Sequence, residues 1–529
     1  MSRTKSIITR LALVALFALV QLPSFSASPY GFILIDGIFY DIIDGGAAVT
    51  YKMYDHSYYK GDIVIPEQIT YYGKTYTVTT IGEYAFYTGG IASGSVTSVT
   101  IPRTVTKIEK DAFHGCSGLT EIILPEALTS IGSSAFYSCS GLTQLTIPDA
   151  VTTIGEAAFK GCSNLADVTI GNSVATIGRS AFGSCPKLTS ITIPESVTWI
   201  GKWAFEGCTG ITTLNYNAIS CRDTTWQDAW FNAFTDCPLT SITLGDRVQH
   251  IPAYLAKGQV RLKEVTIPNS VTLIGEEAFN DCGLMDVKLP DSLITIDKSA
   301  FKDCTGLNGS LVIPDAVTAI GGHAFDYCFR IKDLTIGHSV TGIGEYAFSR
   351  CSGLNNISIP ASVTTIGERA FEGCLQLDSV TIGSGVTYIG GFMLNECNQL
   401  KAVTSLATMP PTVADGFFVD MILDYENVTL HVRPASLAAY RSAFHWNQFG
   451  HIIGDVSQFD PGDVNGDGEI TIADANSVVI IIINGGSNGH NHVPDPDGQY
   501  ISVADVNGDG EVNIADVNAI IDRILSHDH

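Results

Sequence analysis

The feature that most constrains this chain is a beat of 23 residues. The stretches LTQLTIPDAVTTIGEAAFKGCSN (142–164), LADVTIGNSVATIGRSAFGSCPK (165–187) and LTSITIPESVTWIGKWAFEGCTG (188–210) follow one another without a gap. Cys116, Cys139, Cys162, Cys185 and Cys208 keep the step of 23. After an irregular stretch it resumes at Cys282, Cys304, Cys328, Cys351, Cys374 and Cys397, with one step of 22 and one of 24. A unit this short cannot close a core by itself. Copies must stack so that each covers the apolar face of the next, as in a solenoid.

Each unit has a physical reading. In LTSITI (188–193) Ile191 and Ile193 lie two apart, so an extended strand points both inward and leaves Ser190 and Thr192 outside. Leu188 reaches the core from the turn that enters the strand. Pro194, or glycine at the matching place of other units, ends the strand. VTWIG is a second short extended piece, AF turns a phenylalanine inward, and GC returns the chain to the start. Stacking at the interstrand distance of about 4.8 Å then buries columns of Leu, Ile, Phe and Cys. Composition agrees: 45% of residues are hydrophobic and only 16% charged, low in charge for an ordinary soluble domain. Of the thirteen cysteines, all but Cys221 sit on the beat, counting Cys237. They read either as a disulfide framework, plausible in an exported protein, or as buried thiols filling the core. Parallel stacking holds neighbouring Cβ atoms slightly beyond the roughly 3.8 Å that a disulfide prefers, which favours thiols.

The recurrent IP-x-x-VT-x-IG-x-x-AF-x-x-C, as in Ile147, Pro148, Val151, Thr152, Ile154, Gly155, Ala158, Phe159 and Cys162, resembles the BspA-type leucine-rich repeats of bacterial surface proteins. The likeness covers roughly residues 60–405. It implies a β-rich leucine-rich-repeat solenoid and an extracellular adhesion or binding role. The flanks read as caps: short strands over 29–80, and over 411–456 a strand leading to Pro434 and a short helix with Tyr440 and Trp446. The array spans 81–410 and is irregular at 211–258. There CRDTTWQDAWFNAF adds Trp226 and Trp230, as a binding loop or as a degenerate coil.

The ends are different in kind. Arg3 and Lys5 precede the apolar run LALVALFALV (11–20). That is the pattern of a secretory signal peptide (residues 1–28), too short to span a bilayer, with a cut expected between Ser26 and Pro29. No later stretch is long and apolar enough for a membrane span. The formal net charge of −25 argues against nucleic acid as partner, which needs a cationic face. The expected location is secreted or extracellular, with attachment to a cell surface through the tail.

That tail (457–529) writes one dodecamer twice, DVNGDGEITIAD (463–474) and DVNGDGEVNIAD (505–516). Asp463, Asn465, Asp467, Glu469 (through its backbone carbonyl), Thr471 and Asp474 stand at positions 1, 3, 5, 7, 9 and 12 of the first copy. Asp505, Asn507, Asp509, Glu511, Asn513 and Asp516 do so in the second. Each copy has glycine at position 6 for the sharp turn. This is the oxygen-ligand spacing of a calcium loop, and the two copies predict two Ca²⁺ ions. A helix follows each loop, IADANSVVIIIIN (472–484) and IADVNAIIDRIL (514–525), whereas Pro461 and Gly462 prevent a helix from entering the first. A duplicated half EF-hand of this kind resembles a type I dockerin, a small all-α calcium-binding module. The resemblance implies a cohesin module on a scaffold or surface protein as partner. It also implies recognition through loop positions 10 and 11, here Ile472 with Ala473 and Ile514 with Ala515. His490 and His492 between the copies are too few for a metal site of their own.

Zinc-protease motifs and phosphate loops are absent from the sequence. The carboxylates Glu156, Glu276, Glu345 and Glu368 recur after the IG of their units and read as a solvated coil face. The chain is therefore expected to be a non-catalytic binding protein with a protein or glycan as solenoid ligand. The alternatives are an accessory subunit of a cellulosome-like complex in polysaccharide catabolism and, less favoured, a glycoside hydrolase.

Overall fold

The computed structural model describes residues 25–27, 32–51, 59–88, 96–222, 232–417, 427–456, 472, 475, 476, 478, 479 and 514–526. Two compact units emerge: Met1–Ile211 with Ala233–Cys237, and Thr212–Asn232 with Pro238–His529.

The first unit begins as an antiparallel meander. Phe25–Ala27 pairs with Ile33–Ile35, which pairs with Ile38–Ile43, which pairs with Gly46–Thr50. Asp36 and Gly37, both left-handed at φ 49° and 81°, form the two-residue turn that suits a right-twisted hairpin. Gly46–Thr50 then pairs in parallel with Lys74–Ile81, and from there the parallel stack takes over. Thr153 and Ile154 lie opposite Ser130 and Ile131 on one side and Thr176 and Ile177 on the other. Every partner is displaced by one coil, so the period of the sequence is the register of the sheet.

The longer strand of each coil follows the alternation rule. Ser190–Ile193 is exposed and buried by turns, with Ile191 and Ile193 at 2% and 0% exposure. The corner between the short strand and the cysteine is a chain of tight turns: Ala158 N–H donates to Gly155 O, Lys160 to Ala157 and Cys162 to Phe159. Two left-handed residues per coil make this corner. One precedes each Ala-Phe (Ser134 φ 53°, Ala157 φ 53°, Ser180 φ 50°) and one precedes each cysteine (Ser138 φ 55°, Gly161 φ 77°, Ser184 φ 57°). These residues point backbone donors at the next coil, as in Ala157 N to Arg179 O at 2.8 Å and Gly161 N to Gly183 O at 2.8 Å. Non-glycine residues tolerate the left-handed region because an inter-coil hydrogen bond accompanies each one. The glycine of VT-x-IG answers a different need. A Cβ on Gly155 would lie 2.5 Å from the backbone carbonyl carbon of Gly132 in the preceding coil.

Threonine and cysteine extend the ladder with side chains. The VT threonines donate their hydroxyls one coil back, as Thr129 does to Thr106 O (3.0 Å) and Thr364 to Thr341 O (3.1 Å). The thiols do the same. Cys139 Sγ donates to Phe113 O at 3.0 Å, Cys208 to Phe182 O at 3.1 Å, and in the second unit Cys304 to Phe279 O at 3.0 Å. None of the thirteen cysteines is in a disulfide and all are buried, which answers the choice left by the sequence in favour of thiols. They are weak donors as well as apolar plugs. Burial pushes the Cys116 and Cys162 thiols up to about 12 from an ordinary 9.0. Iodoacetamide at pH 8 is therefore expected to leave the native thiols unmodified for hours and to label all thirteen in guanidinium. Rapid native labelling of the on-beat cysteines, read by peptide mass spectrometry, would contradict this packing.

Between the strands and the thiols runs the phenylalanine column. From Phe86 through Phe113, Phe136, Phe159, Phe182 and Phe205 to Phe234 the rings stack at 4.9–5.4 Å within 10° of parallel. These separations are the coil spacing read on the aromatic rings.

The second unit repeats the scheme. Eight two-residue strands, His250–Ile251 through Thr412–Val413, form one sheet, and Phe279, Phe301, Phe325, Phe348 and Phe371 continue a ring column at 5.2–5.5 Å. At the break in the beat the coil persists: Thr213–Tyr216 pairs in parallel with Ser241–Leu244 across a step of 28 residues. Trp226 and Trp230 lie outside the described residues. The stack closes with Thr429–Val432, a 3-10 turn at Pro434–Ser436, an α-helix at Leu437–Ser442 and the strand His451–Gly454. Tyr440 and Trp446 are buried there. Tyr440 donates to Ala407 O at 3.1 Å and Trp446 Nε1 to Pro411 O at 2.8 Å, so the cap satisfies polar groups that an open solenoid end would leave unpaired.

Candidate functional site

Two surfaces are candidates for function. The first is the duplicated tail. Asp463, Asn465, Asp467, Glu469, Thr471, Asp474, Asp505, Asn507, Asp509, Glu511 and Asn513 lie outside the described residues, as do Ala473 and the histidines of the connecting loop. Asp516, at position 12 of the second copy, is described. It is the third residue of the helix Ile514–Ser526 and its side chain is 0% exposed. That helix begins where the loop pattern ends, as its sequence predicts.

The described positions reveal a second doubling, forty-two residues apart in the numbering. Ala475 and Val478 are buried at 2% and 0%, and their counterparts Val517 and Ile520 at 7% and 0%. Ile472 and Ile514 are exposed at 63% and 64%, and Ala515 is exposed as well. Three residues apart on a helix is one face, so each copy buries the same face inward. Each also leaves an isoleucine at the same place outside. The donor set that the two dodecamers offer is entirely oxygen, three of the donors in each being carboxylates, which fits a hard divalent cation and no soft one. From residue 461 onward twelve acidic side chains face a single basic one, Arg523, so a bound cation would relieve their mutual repulsion.

The second surface is the outside of the solenoid. Ser190, Thr192, Ser241 and Thr243 are exposed on the longer strands. The VT threonines differ, because their hydroxyls are committed to the neighbouring coil. Of the recurring carboxylates, Glu156, Glu345 and Glu368 are exposed and Glu276 is half-buried, with Glu368 3.3 Å from Arg369. That is the solvated coil face expected of them. Three buried carboxylates, Asp111, Asp326 and Glu372, escaped the sequence reading. Glu372 lies 2.7 Å from both Arg369 Nη1 and Asn395 Nδ2. Asp326 lies 2.9 Å from His323 Nδ1 and 3.4 Å from Lys302 Nζ. Each has a cationic or donor partner on an adjacent turn, an arrangement that cements the corner of the solenoid. Their partners are displaced by a coil or by three residues, a relation that the repeat disguises as scatter in the variable positions.

Among the described residues no helix is long and apolar enough to cross a membrane. The model of the family described as BspA type leucine rich repeat region matches residues 79–212, 227–353 and 308–410, more than half of the chain. The dockerin type I domain model matches residues 461–525. No curated protein matches the chain. Solved structures similar to it include a leucine-rich repeat protein from Bacteroides ovatus, 26% identical over 70% of this chain and 94% of that one, with a TM-score of 0.48. A leucine rich cell surface protein from Faecalibacterium prausnitzii is also 26% identical, over 73% and 95% of the two chains, with a TM-score of 0.32. Stacked coils in register, columns of thiols and phenylalanines in each unit, and the family match over most of the array lead to one conclusion: the chain belongs to the BspA-type leucine-rich-repeat family and ends in a type I dockerin domain.

Proposed function

We propose that this is an exported, non-catalytic adhesion or interaction protein with a division of labour between its two parts. The solenoid recognises a protein or glycan. The tail binds two Ca²⁺ ions through Asp463, Asn465, Asp467, Glu469, Thr471 and Asp474, and through Asp505, Asn507, Asp509, Glu511, Asn513 and Asp516. So loaded, it docks on a cohesin-bearing scaffold or cell surface. Calcium supplies the positive charge that lets the clustered carboxylates fold into one place. The chain's own residues then present Ile472 with Ala473, and Ile514 with Ala515, to the partner.

The observation that carries this reading is the matched exposure of Ile472 and Ile514 beside matched buried faces. Large apolar residues left outside at both equivalent positions fit a docking contact, and their equivalence allows the partner to seat on either copy.

The test is calorimetry and capture with the full chain. Titration with calcium is expected to give two binding events, and binding to an immobilised cohesin is expected to vanish in a chelating buffer. Asp463→Ala with Asp505→Ala is expected to abolish capture, and Ile472→Asp with Ile514→Asp to abolish it while leaving the calcium heat intact. A cohesin still captured by the double Asp variant would sink the mechanism.

A further inference from the structure

More than half of the tyrosines of the chain, eleven of twenty, fall between Tyr30 and Tyr87. Two of them, Tyr40 and Tyr59, are buried. Others meet on the corner face of the first unit in a line of rings that no sequence motif announces. Phe32 lies 6.2 Å from Tyr51, Tyr51 lies 6.4 Å from Tyr84 and Tyr84 lies 5.6 Å from Tyr87. Tyr87 lies 5.0 Å from His114, and His114 4.7 Å from Tyr137. Tyr87 is 37% exposed and the other five are half-buried. The strip is therefore surface rather than core. His114 is held by Asp111, Nδ1 to Oδ1 at 2.8 Å.

Tyr84 occupies the left-handed corner position, here before Ala-Phe, at φ 57°, as Trp203, Tyr254 and Tyr346 do on other coils, and its N–H donates to Lys110 O on the next coil at 3.1 Å. The corner shared by all coils thus holds its ring beside those of Tyr51 and Tyr87. Tyr87, His114 and Tyr137 occupy one position on three successive coils, so their spacing is the coil step; Lys160 and Gly183 follow them at that position.

We propose that this strip is a binding platform for a neutral, linear polysaccharide. This deepens, and rests on, the ligand-binding role given above to the solenoid. Aromatic faces take up the C–H faces of sugar rings by dispersion and quadrupole attraction, and tyrosine adds a hydroxyl for the sugar's own hydroxyls. A row of rings at a regular step suits a ligand that itself repeats at a comparable step. The charge of −25 selects among polymers, since a polyanionic chain would be repelled by the protein as a whole.

The test is affinity electrophoresis of the full-length, calcium-loaded protein through gels containing mixed-linkage β-glucan, xyloglucan, arabinoxylan or, as the anionic probe, polygalacturonate. Retardation is expected in at least one neutral gel and none in polygalacturonate. Tyr84→Ala with Tyr87→Ala and Tyr137→Ala is expected to weaken it by about tenfold or more, the loss produced by removing even one good stacking contact. The corresponding triple phenylalanine variant is expected to stay within about threefold of wild type, because the ring faces remain. Tyr346→Ala, in the second unit, is expected to change nothing. Circular dichroism checks that each variant folds. If the triple alanine variant does not, Tyr137→Ala alone, outside the left-handed position, carries the test. Unchanged retardation in a folded alanine variant overturns the inference, as does equal loss in the phenylalanine variant. Absence of retardation in every neutral gel, with calcium-dependent cohesin capture intact, overturns this platform and leaves the tether standing.

Discussion

Phe159→Ala is expected to destabilise the first unit by about 3–5 kcal/mol, the usual cost of emptying a large aromatic site in a core. Phe159 has no exposed surface and stacks between Phe136 at 5.1 Å and Phe182 at 5.2 Å. Its removal opens a void that touches both neighbouring coils. The backbone around it cannot collapse to fill that void. Phe159 N–H is bonded to Ala181 O at 2.7 Å, and its carbonyl accepts the N–H of Cys162 and the thiol of Cys185. Those bonds hold the coil spacing in the variant as they do in the wild type. Phe159→Leu keeps more of the volume and is expected to lose about half as much, within the range for imperfect apolar replacement. In a stacked protein the loss is local before it is global. Hydrogen exchange at residues 136–182 is therefore expected to quicken more than exchange in the C-terminal cap. A loss below about 1 kcal/mol in urea titrations would remove Phe159 from the core.

The second large effect is alkaline instability. Native Cys116 and Cys162 are held up at about 12, and Cys139 and Cys328 well above their ordinary value, because burial penalises the thiolate. In the unfolded chain the same thiols ionise near 9.0. A group whose folded value is raised contributes its full stability below the unfolded value and loses it as pH climbs toward the folded one. The window is therefore pH 9 to 12. Within it, each thiol so raised in the unfolding segment withdraws about 1.4 kcal/mol per pH unit. Several thiols unfold together in each unit, so the melting temperature is expected to be nearly level from pH 6 to 8.5 and to fall steeply by pH 10.5. Burial raises Tyr40 and Tyr59 in the same direction, so the thiol share is isolated by comparison. Cys139→Ser with Cys162→Ser is expected to give a lower melting temperature at pH 7 and a shallower fall above pH 9. Equal slopes in the two proteins would show that the thiols ionise without unfolding.

Much of this architecture was legible in the residues because a repeat is measured many times over. Ile191 and Ile193 inside, Ser190 and Thr192 outside, the inward Phe159 and the capping Tyr440 and Trp446 follow from spacing and polarity. The corner was legible only in part. Glycine before cysteine is an obvious turn, but Ser138, Ser184 and Arg350 adopt the same left-handed backbone, and so do Ala157 and Tyr254 at the preceding corner position. Their conformation comes from a hydrogen bond to the next coil, and no local propensity encodes a partner twenty-two residues away. The donor role of the thiols was hidden for the same reason, since cysteine on the beat reads equally well as a plug. In the tail the ligand spacing was plain from Asp463 to Asp516. The matching exposure of Ile472 and Ile514, by contrast, belongs to the folded helices.

The sequence by itself determined the period, the alternation of inside and outside along each strand, and the doubling of an oxygen-rich dodecamer. All three are properties of neighbours along the chain, and short-range stereochemistry enforces them. Only the tertiary structure decided which backbone groups bond between coils, which thiols donate, and that rings from Phe32 to Tyr137 line up on one face. Those depend on residues a full coil or more apart, and stacking alone brings them within reach.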